Sequence, residues 1–255
     1  MPKAQMSFTD PELGIMQTNN KGWDYCGNAQ ASVDGAYQII VACEVTAEAN
    51  DKQQALPMAE LTLAHLAQAG IERPKDTAGV VQKIPATYDS GYYSAAAAAA
   101  VENMGFDPYM ATGRQRHHAA AAEVVETPTT AKAHMAAKVR TAEGRALYAR
   151  RKVNVEPVFG QIKEARGFRR FLLRGLANIR GEWSLVCVTH NLLKLWRYTC
   201  APIAVSADER GPSKPKMVFF RTTISSELTV SRRHGHDFSG KHTQYAWIVS
   251  STDDQ

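Results

Sequence analysis

The sequence predicts an α/β fold in which a mixed β-sheet is flanked by helices. Three segments carry this prediction: a β-hairpin over residues 30–46, a helix over roughly residues 52–69, and an alanine-rich helix over residues 95–104 that lies between two strand candidates. Strands that alternate with helices are typical of a layered sheet, and a helix between two strands suits a right-handed crossover. The 255 residues are enough for one substantial domain or two small ones.

The hairpin and the first helix carry their own boundary signals. Asp34-Gly35 favours a turn, and the apolar run at 39–43 is typical of a buried strand. Asn50-Asp51 is suited to cap the helix that follows, and Gly70 is suited to end it. We therefore expect two strands and then a helix in this order.

The alanine-rich helix is bounded in the same way. Ser94 is a favourable N-cap and Gly105 a favourable terminator. The strand before this helix is expected to end at Asp89, and a short strand is expected after it at 107–111. A carboxylate at the end of a strand projects from a rigid support, so Asp89 is a candidate for chemistry.

The next part of the chain changes character. Residues 112–133 lack apolar periodicity and are predicted to form an exposed or mobile excursion. A helical pattern then runs from about 134 to about 165. Pro157 should begin a new helix or kink this one immediately after Glu156, because proline lacks the backbone N–H that a helix interior uses.

A second long helix is predicted over 176–197, which is mostly apolar. His190 and Asn191 lie inside it, and we expect them to have a hydrogen-bonded structural role. Residues 198–255 are polar and rich in Gly, Pro and Ser, so they are predicted to be a poorly ordered tail after a domain over 7–197.

The charge is unevenly distributed along the chain. Residues 138–197 hold 14 Lys and Arg against 4 Asp and Glu, a net charge of +10, whereas residues 1–100 have a net charge of −5. A basic block of this kind is expected of a surface that meets a polyphosphate such as nucleic acid. The sequence has no apolar run of membrane-spanning length, no signal-peptide core and no CxxC pair, so we expect a cytoplasmic protein without a membrane partner, a zinc ribbon or a disulfide framework.

Glu156 stands out as a carboxylate surrounded by basic residues. It is either a salt-bridge partner or a ligand for a hard cation such as Mg²⁺, which prefers carboxylate oxygens and can face a phosphate backbone. The basic residues around it are Arg150, Arg151, Lys152, Lys163, Arg166, Arg169 and Arg170.

Two segments carry a resemblance to a known family. The stretch YDSGYY at 88–93 resembles the second-aspartate motif of the DDE transposases of bacterial insertion sequences. The stretch 148–195, which contains VEPVFG and a lysine seven residues after Glu156, closely resembles the block around their catalytic glutamate. FTDPE at 8–12 and NAQASVD at 28–34 occur in the family's order, and the resemblance covers roughly residues 7–197.

The resemblance implies an RNase H-like fold and metal-dependent cleavage and strand transfer at DNA phosphodiesters. Asp89 and Glu156 would be the second and third carboxylates of the DDE triad and would bind Mg²⁺ or Mn²⁺. Double-stranded DNA, as transposon ends and as target, would be the partner, held by the basic residues named above. The protein would act at the nucleoid, and a homodimer on the DNA is the assembly considered.

The sequence departs from the family at its beginning. The family's first aspartate lies on a first sheet strand in an Asp-Gly-Thr context, and we find no such strand before FTDPE, so we expect the first strand to be missing and the chain to be truncated. Asp34 is the candidate for a further metal ligand, although it also suits the hairpin turn. Tyr148 lies eight residues before Glu156, where many relatives have seven.

Two other functions fit the same residues. The chain could be a catalytically inactive DNA-binding remnant of a transposase that keeps the basic surface. It could also be a helical protein whose arginines pair with acidic protein surfaces.

Overall fold

The computed structural model describes residues 6–18, 22–113, 129–200 and 246–250. Within these ranges the chain forms two β-sheets and five α-helices, and no helix is both long and apolar enough to cross a membrane. The strands are β1 Gly14–Gln17, β2 Trp23–Cys26, β3 Asn28–Asp34, β4 Ile40–Thr46, β5 Ile84–Tyr88, β6 Phe106–Met110 and β7 Ala246–Ser250. The helices are α1 Ala55–Gln68, α2 Ala95–Asn103, α3 Ala131–Arg140, α4 Ala142–Gly160 and α5 Leu176–Cys200.

The main sheet is mixed, as predicted. Its strand order is β4-β3-β7-β5-β6, in which β3 is antiparallel to β4 and β7, while β5 is parallel to β7 and β6. β1 and β2 form a separate antiparallel pair. The α/β class is therefore confirmed for the described residues.

β7 takes a central place in this sheet, between β3 and β5. Its residues 246–250 belong to the stretch that the sequence pattern assigns to a poorly ordered tail. The rest of that stretch, at 201–245 and 251–255, lies outside the described residues, and α5 extends to Cys200. The position beside β5 is thus held by a strand from the end of the chain.

The hairpin of β3 and β4 is confirmed, but its turn is longer than two residues. The Asp34 carboxylate accepts hydrogen bonds from the backbone N–H groups of Ala36 (3.1 Å) and Tyr37 (2.6 Å). The left-handed residue of this turn is Gln38, with φ of 60°, rather than Gly35. A non-glycine residue at positive φ costs free energy, so the surroundings of Gln38 must hold it there.

Local signals predicted the end of α1 and both ends of α2, but α1 itself begins only at Ala55, after Gln54, whose side chain forms no cap hydrogen bond. Asn50 accepts a hydrogen bond from the N–H of Lys52 in a short 3₁₀ turn that leads into α1, and Gly70 follows α1 at φ 68°. Ser94 accepts a hydrogen bond from the N–H of Ala97 at the start of α2. These caps satisfy backbone groups that helix ends leave without partners.

The helical pattern after residue 133 differs from the prediction in two ways. It breaks at Thr141, whose hydroxyl caps α4, and of the predicted excursion 112–133 only its two ends are described, with α3 already begun at Ala131. Pro157 lies inside α4 and no new helix begins there, so the first of the two predicted alternatives is wrong, while a kink at this position stays a prediction. α4 then passes into a π-helical turn, Gln161–Ala165.

The reason that α4 tolerates Pro157 lies in the hairpin. A proline cannot donate to the carbonyl four residues before it, here that of Val153. The side-chain amide of Gln38 donates to this carbonyl at 2.8 Å instead. Gln38, the residue at positive φ, thus supplies the hydrogen bond that the carbonyl of Val153 does not receive from Pro157.

Two clusters of buried side chains pack around the sheet, and α4 contributes to both. One cluster contains Leu147 of α4 together with β5, β6 and α1–α3. The other contains Val155, Val158 and Phe159 of α4 together with β3, β4 and α5. The stretch of α4 between Leu147 and Val155 therefore passes from one cluster to the other, and its position is determined at both ends.

Candidate active site

Asp89 is the first residue after β5. Its carboxylate accepts a hydrogen bond from the N–H of Ser90 at 3.0 Å and so caps the 3₁₀ turn Ser90–Tyr92. The rings of Tyr88 and Tyr92, on either side of this turn, are fully buried, with centroids 5.9 Å apart. The strand end and the two rings hold Asp89 at the edge of the sheet, as the sequence predicted.

Glu156 lies on α4 and is half exposed, with 51% of its side chain accessible. Its neighbours Val155 and Val158 are buried against the sheet, so the helix orientation turns Glu156 away from the core. Because Pro157 does not interrupt α4, Glu156 stays on the same helix as Arg151.

Arg151 connects the two carboxylates. Its Nη1 lies 2.9 Å from Oδ2 of Asp89, and its Nη2 lies 3.5 Å from Oε1 of Glu156. The guanidinium also lies over the ring of Tyr148, 5.5 Å from its centroid. The fold thus brings Asp89 and Glu156, which are far apart in the sequence, to the two terminal nitrogens of one guanidinium.

The two ion pairs differ in strength. The side chains of Arg151 and Asp89 are only 14% and 19% accessible, so water screens this short contact weakly. The contact with Glu156 is longer and half exposed, and pairs of that kind contribute little to stability. Arg151 is therefore mainly the partner of Asp89, and Glu156 is the freer carboxylate.

Tyr148 supports this arrangement as a neutral side chain. Burial raises its pKa to about 12, because the charged phenolate is poorly solvated in the protein. The phenol ring therefore offers its face to Arg151 at every pH at which the protein would act.

Asp34 does not join this pair. Its carboxylate is occupied by the hairpin turn, and its strand partner is Ala246, which also pairs with Ala86 in β5. Across the sheet, Asp34 is therefore at the level of Ala86, three residues before Asp89, and not at the level of Asp89 itself. Among the residues that the structure describes, no group of three or more His, Cys, Asp or Glu side chains is arranged to hold a metal ion.

The basic residues after α4 have different surroundings. Arg166 donates to the carbonyl of Val186 at 3.2 Å and to the hydroxyl of Thr189, so it ties the end of the π-helical turn to α5. Arg169 forms an ion pair with Glu164. These two arginines have structural contacts that the sequence does not indicate.

Several of the predicted basic residues border an open cleft of about 690 Å³. Lys163, Arg169 and Arg170 line it, and so does Arg174, which the sequence prediction did not include. Lys163 follows Glu156 by seven residues, about 10 Å along a helix axis. Arg150 and Lys152 are exposed on α4 itself. Neither Asp89 nor Glu156 lines this cleft, so the basic residues fall into two groups, one on α4 and one around the cleft.

A comparison with protein families identifies part of the chain. Residues 108–196 match the family model described as Transposase DDE domain. The resemblance to DDE transposases is therefore confirmed, and Glu156 and Arg151 lie inside the matched DDE segment while Asp89 lies before it.

No curated protein and no solved structure matches the chain. The family match at residues 108–196 and the geometry of the site are therefore the two observations that bear on function. It implies DNA as the partner and transposition as the process in which this segment takes part.

Sequence reasoning missed a group of buried polar residues next to Asp89. Asn28 and Gln30 of β3 donate hydrogen bonds to the carboxylate of Asp51, which the sequence marks only as part of a helix cap. The available signal was the alternation of polar residues in a strand that is otherwise apolar. Residues 28, 30 and 32 are all polar and all buried.

Proposed function

We propose that this protein cleaves and joins DNA phosphodiesters as a DDE transposase, and that Asp89 and Glu156 hold a divalent metal ion. The observation that carries the proposal is the convergence of these two carboxylates on the guanidinium of Arg151 at the border of a matched DDE segment. The two carboxylates lie where a cation is already stabilised.

The residues fit a hard cation by their chemistry. Asp89 and Glu156 supply carboxylate oxygens, the ligands that Mg²⁺ and Mn²⁺ prefer, and water and phosphate oxygens commonly complete such sites. When bound, the ion acts as a Lewis acid toward the phosphodiester and lowers the pKa of water. The half-exposed Glu156 is accessible to solvent, so an ion can reach it without opening of the core.

The chain's own cations have a separate task. Lys163 and Arg170 border the cleft, and Arg150 and Lys152 are exposed on the same helix as Glu156. Lysine and arginine side chains hold the DNA backbone through its phosphates without reading the sequence. This surface would orient the scissile phosphate toward the two carboxylates.

Two measurements test the proposal: Mn²⁺ binding, followed by the loss of the free-ion EPR signal, and nicking of supercoiled plasmid DNA in the presence of Mn²⁺. Asp89→Asn and Glu156→Gln should each reduce nicking by at least about 100-fold and weaken Mn²⁺ binding. Glu60→Gln, at an exposed position of α1, is the control and should change neither. Unchanged nicking in both site variants would refute the assignment.

A second function is favoured by one specific observation. Arg151 already neutralises Asp89, and the described residues hold no cluster of three metal-binding side chains. A protein that binds DNA through its basic surface without cleaving it fits these facts as well. Salt-dependent DNA binding in the absence of Mn²⁺ binding and nicking would establish this remnant function in place of the first.

We also infer a homodimer on the DNA, and an exposed apolar row on α5 supports it. Leu185, Val188, Leu192 and Leu195 are each more than half exposed and follow the spacing of three and four residues that helix pairs use. In an antiparallel pair centred between Val188 and Leu192, Leu185 would face Leu195 of the second copy.

Light scattering of the protein with and without DNA tests this assembly. Leu192→Glu should shift the population to monomers, because it places a charge at the centre of the row. Val153→Glu, at an equally exposed position of α4, should leave the mass unchanged. A wild-type protein that is monomeric both free and on DNA would contradict the inference.

A further inference from the structure

A chain of buried hydrogen bonds lies behind the turn that begins at Asp89. Oδ1 of Asp51 accepts hydrogen bonds from the side-chain amides of Asn28 (2.7 Å) and Gln30 (3.0 Å). The side-chain oxygen of Gln30 in turn accepts a hydrogen bond from the hydroxyl of Tyr92. Three elements are joined in this way: β3, the 3₁₀ turn before α1, and the 3₁₀ turn after Asp89.

These groups are removed from water. Gln30 and Tyr92 are completely buried, Asn28 is 1% exposed and Asp51 is 9% exposed. Buried polar groups are costly unless their hydrogen bonds are made, so each member constrains the positions of the others. The strand itself is held as well, because the indole N–H of Trp183 donates to the carbonyl of Gln30 at 3.0 Å.

The turn also packs directly against Asp51. A Cβ atom added to Gly91 would lie 3.2 Å from Oδ2 of Asp51, which is tighter than an ordinary contact. Glycine at this position therefore lets the backbone of the turn approach the carboxylate. The turn is thus held by two contacts with the same hydrogen-bonded group, the close approach of Gly91 to Asp51 and the hydrogen bond from the hydroxyl of Tyr92 to Gln30.

We propose that Asp51, Gln30 and Tyr92 are positioning residues for Asp89. Asp89 begins the turn that they hold, and its carboxylate is bound to the N–H of Ser90 in the same turn. A shift of the turn would therefore move the carboxylate that contacts Arg151. The positioning stands on the contacts alone, whereas its consequence for metal binding and catalysis rests on the proposed function.

A pair of matched variants tests the positioning. Tyr92→Phe removes the hydroxyl that Gln30 accepts and keeps the buried ring. Tyr88→Phe makes the same chemical change four residues earlier, in an equally buried ring whose hydroxyl has no hydrogen-bond partner among the residues that the structure describes. Any difference between the two variants therefore reports the hydrogen bond and not the loss of a hydroxyl as such.

The first readout is amide hydrogen exchange, which does not depend on activity. In Tyr92→Phe the N–H groups of residues 90–92 should exchange about tenfold faster, the factor expected for the loss of one buried hydrogen bond. In Tyr88→Phe they should exchange as in the wild type. Gly91→Ala, which crowds Asp51, should also accelerate exchange in this turn. Equal exchange at 90–92 in Tyr92→Phe and the wild type would overturn the proposal.

The second readout connects the turn to the proposed chemistry. In plasmid nicking with Mn²⁺, Tyr92→Phe should lower kcat several-fold and leave KM for DNA unchanged, while Tyr88→Phe keeps both. Faster exchange without any change in nicking would overturn the role in catalysis. A wild-type protein that neither binds Mn²⁺ nor nicks DNA would refute the proposed function, and the exchange result would still decide the positioning.

Discussion

Asp89 and Glu156 contact the same guanidinium from supports of opposite kinds. Asp89 follows a buried strand, lies between two buried tyrosines and has a hydrogen-bonded network behind it. Glu156 stands on the exposed side of a helix whose proline is compensated by a distant glutamine. The position of Asp89 therefore depends on burial, whereas the position of Glu156 depends on contacts of the β3–β4 hairpin with α4 and α5.

The largest expected effect comes from the buried half. Tyr88→Ala should lower the free energy of unfolding by roughly 3–5 kcal/mol, because it removes a fully buried aromatic ring and leaves a cavity. Val153→Ala, near Glu156 and 62% exposed, should stay within about 0.5 kcal/mol of the wild type. Urea denaturation measures both, and losses of similar size would contradict the contrast between the two supports.

The next effect lies at the contact between the two halves. Arg151→Ala should lower the free energy of unfolding by roughly 1–3 kcal/mol, since it leaves the weakly accessible carboxylate of Asp89 without its cation. Arg145→Ala, at an exposed position of α4, is the control and should have little effect.

The same variant separates the structural role of Arg151 from the proposed metal site. Without the guanidinium, the two carboxylates favour another cation, so Mn²⁺ should raise the melting temperature of Arg151→Ala more than that of the wild type. Thermal denaturation with and without Mn²⁺ measures the difference. An Mn²⁺ effect that is smaller in the variant would show that Arg151 assists metal binding instead of competing with it.

The exposed half depends on Gln38, and two substitutions divide its contribution. Gln38→Ala and Gln38→Gly both remove the hydrogen bond to the carbonyl of Val153, but only glycine relieves the backbone at φ 60°. The glycine variant should therefore be more stable than the alanine variant by about 1 kcal/mol. Equal stability in urea denaturation would show that the positive φ carries no cost here.

The same contrast explains which features could be predicted from the sequence. The hairpin and both ends of α2 depend on residues that lie close together, so Asp34, Ser94 and Gly105 were sufficient signals. The course of α4 depends on Gln38, 115 positions before Val153 in the sequence, and no local pattern reveals that contact.

The site was predictable to a similar extent. Motifs marked Asp89 and Glu156 separately, and the fold brings both to Arg151, which the sequence offered only as one of seven cations. The network around Asp51 joins residues more than 20 positions apart and was not predicted, because the sequence pattern assigned Asp51 only to a helix cap. β7 was not predicted because it is a short segment of five residues within a polar stretch. Only its pairing with β3 and β5 identifies it as a strand.

The smallest effect concerns pH and again separates the two supports. His190 is buried in α5, and its Nε2–H donates a hydrogen bond to the backbone carbonyl of Gln38 at 3.0 Å. Because Gln38 also contacts α4, the helix that carries Glu156, an ionisable histidine takes part in the support of Glu156. Burial lowers the pKa of His190 below its usual 6.5, against the opposing effect of the Gln38 carbonyl, and the nearby cations Lys194, Arg166 and Arg197 lower it further. The folded protein therefore holds His190 neutral where the unfolded chain already binds a proton.

The sign of the pH dependence follows from this difference. The free energy of unfolding should be independent of His190 above about pH 6.5 and should fall as the pH decreases from there toward the lower pKa of the folded state. Urea denaturation at pH 7.5 and pH 5.5 should show a smaller decrease for His190→Gln than for the wild type, whatever the variant's stability at pH 7.5. Because the other histidines titrate in both proteins, only the difference between the two decreases reports His190. An identical decrease would mean that the junction of the hairpin with α5 tolerates the charged imidazole, so that the support of Glu156 does not depend on His190 being neutral.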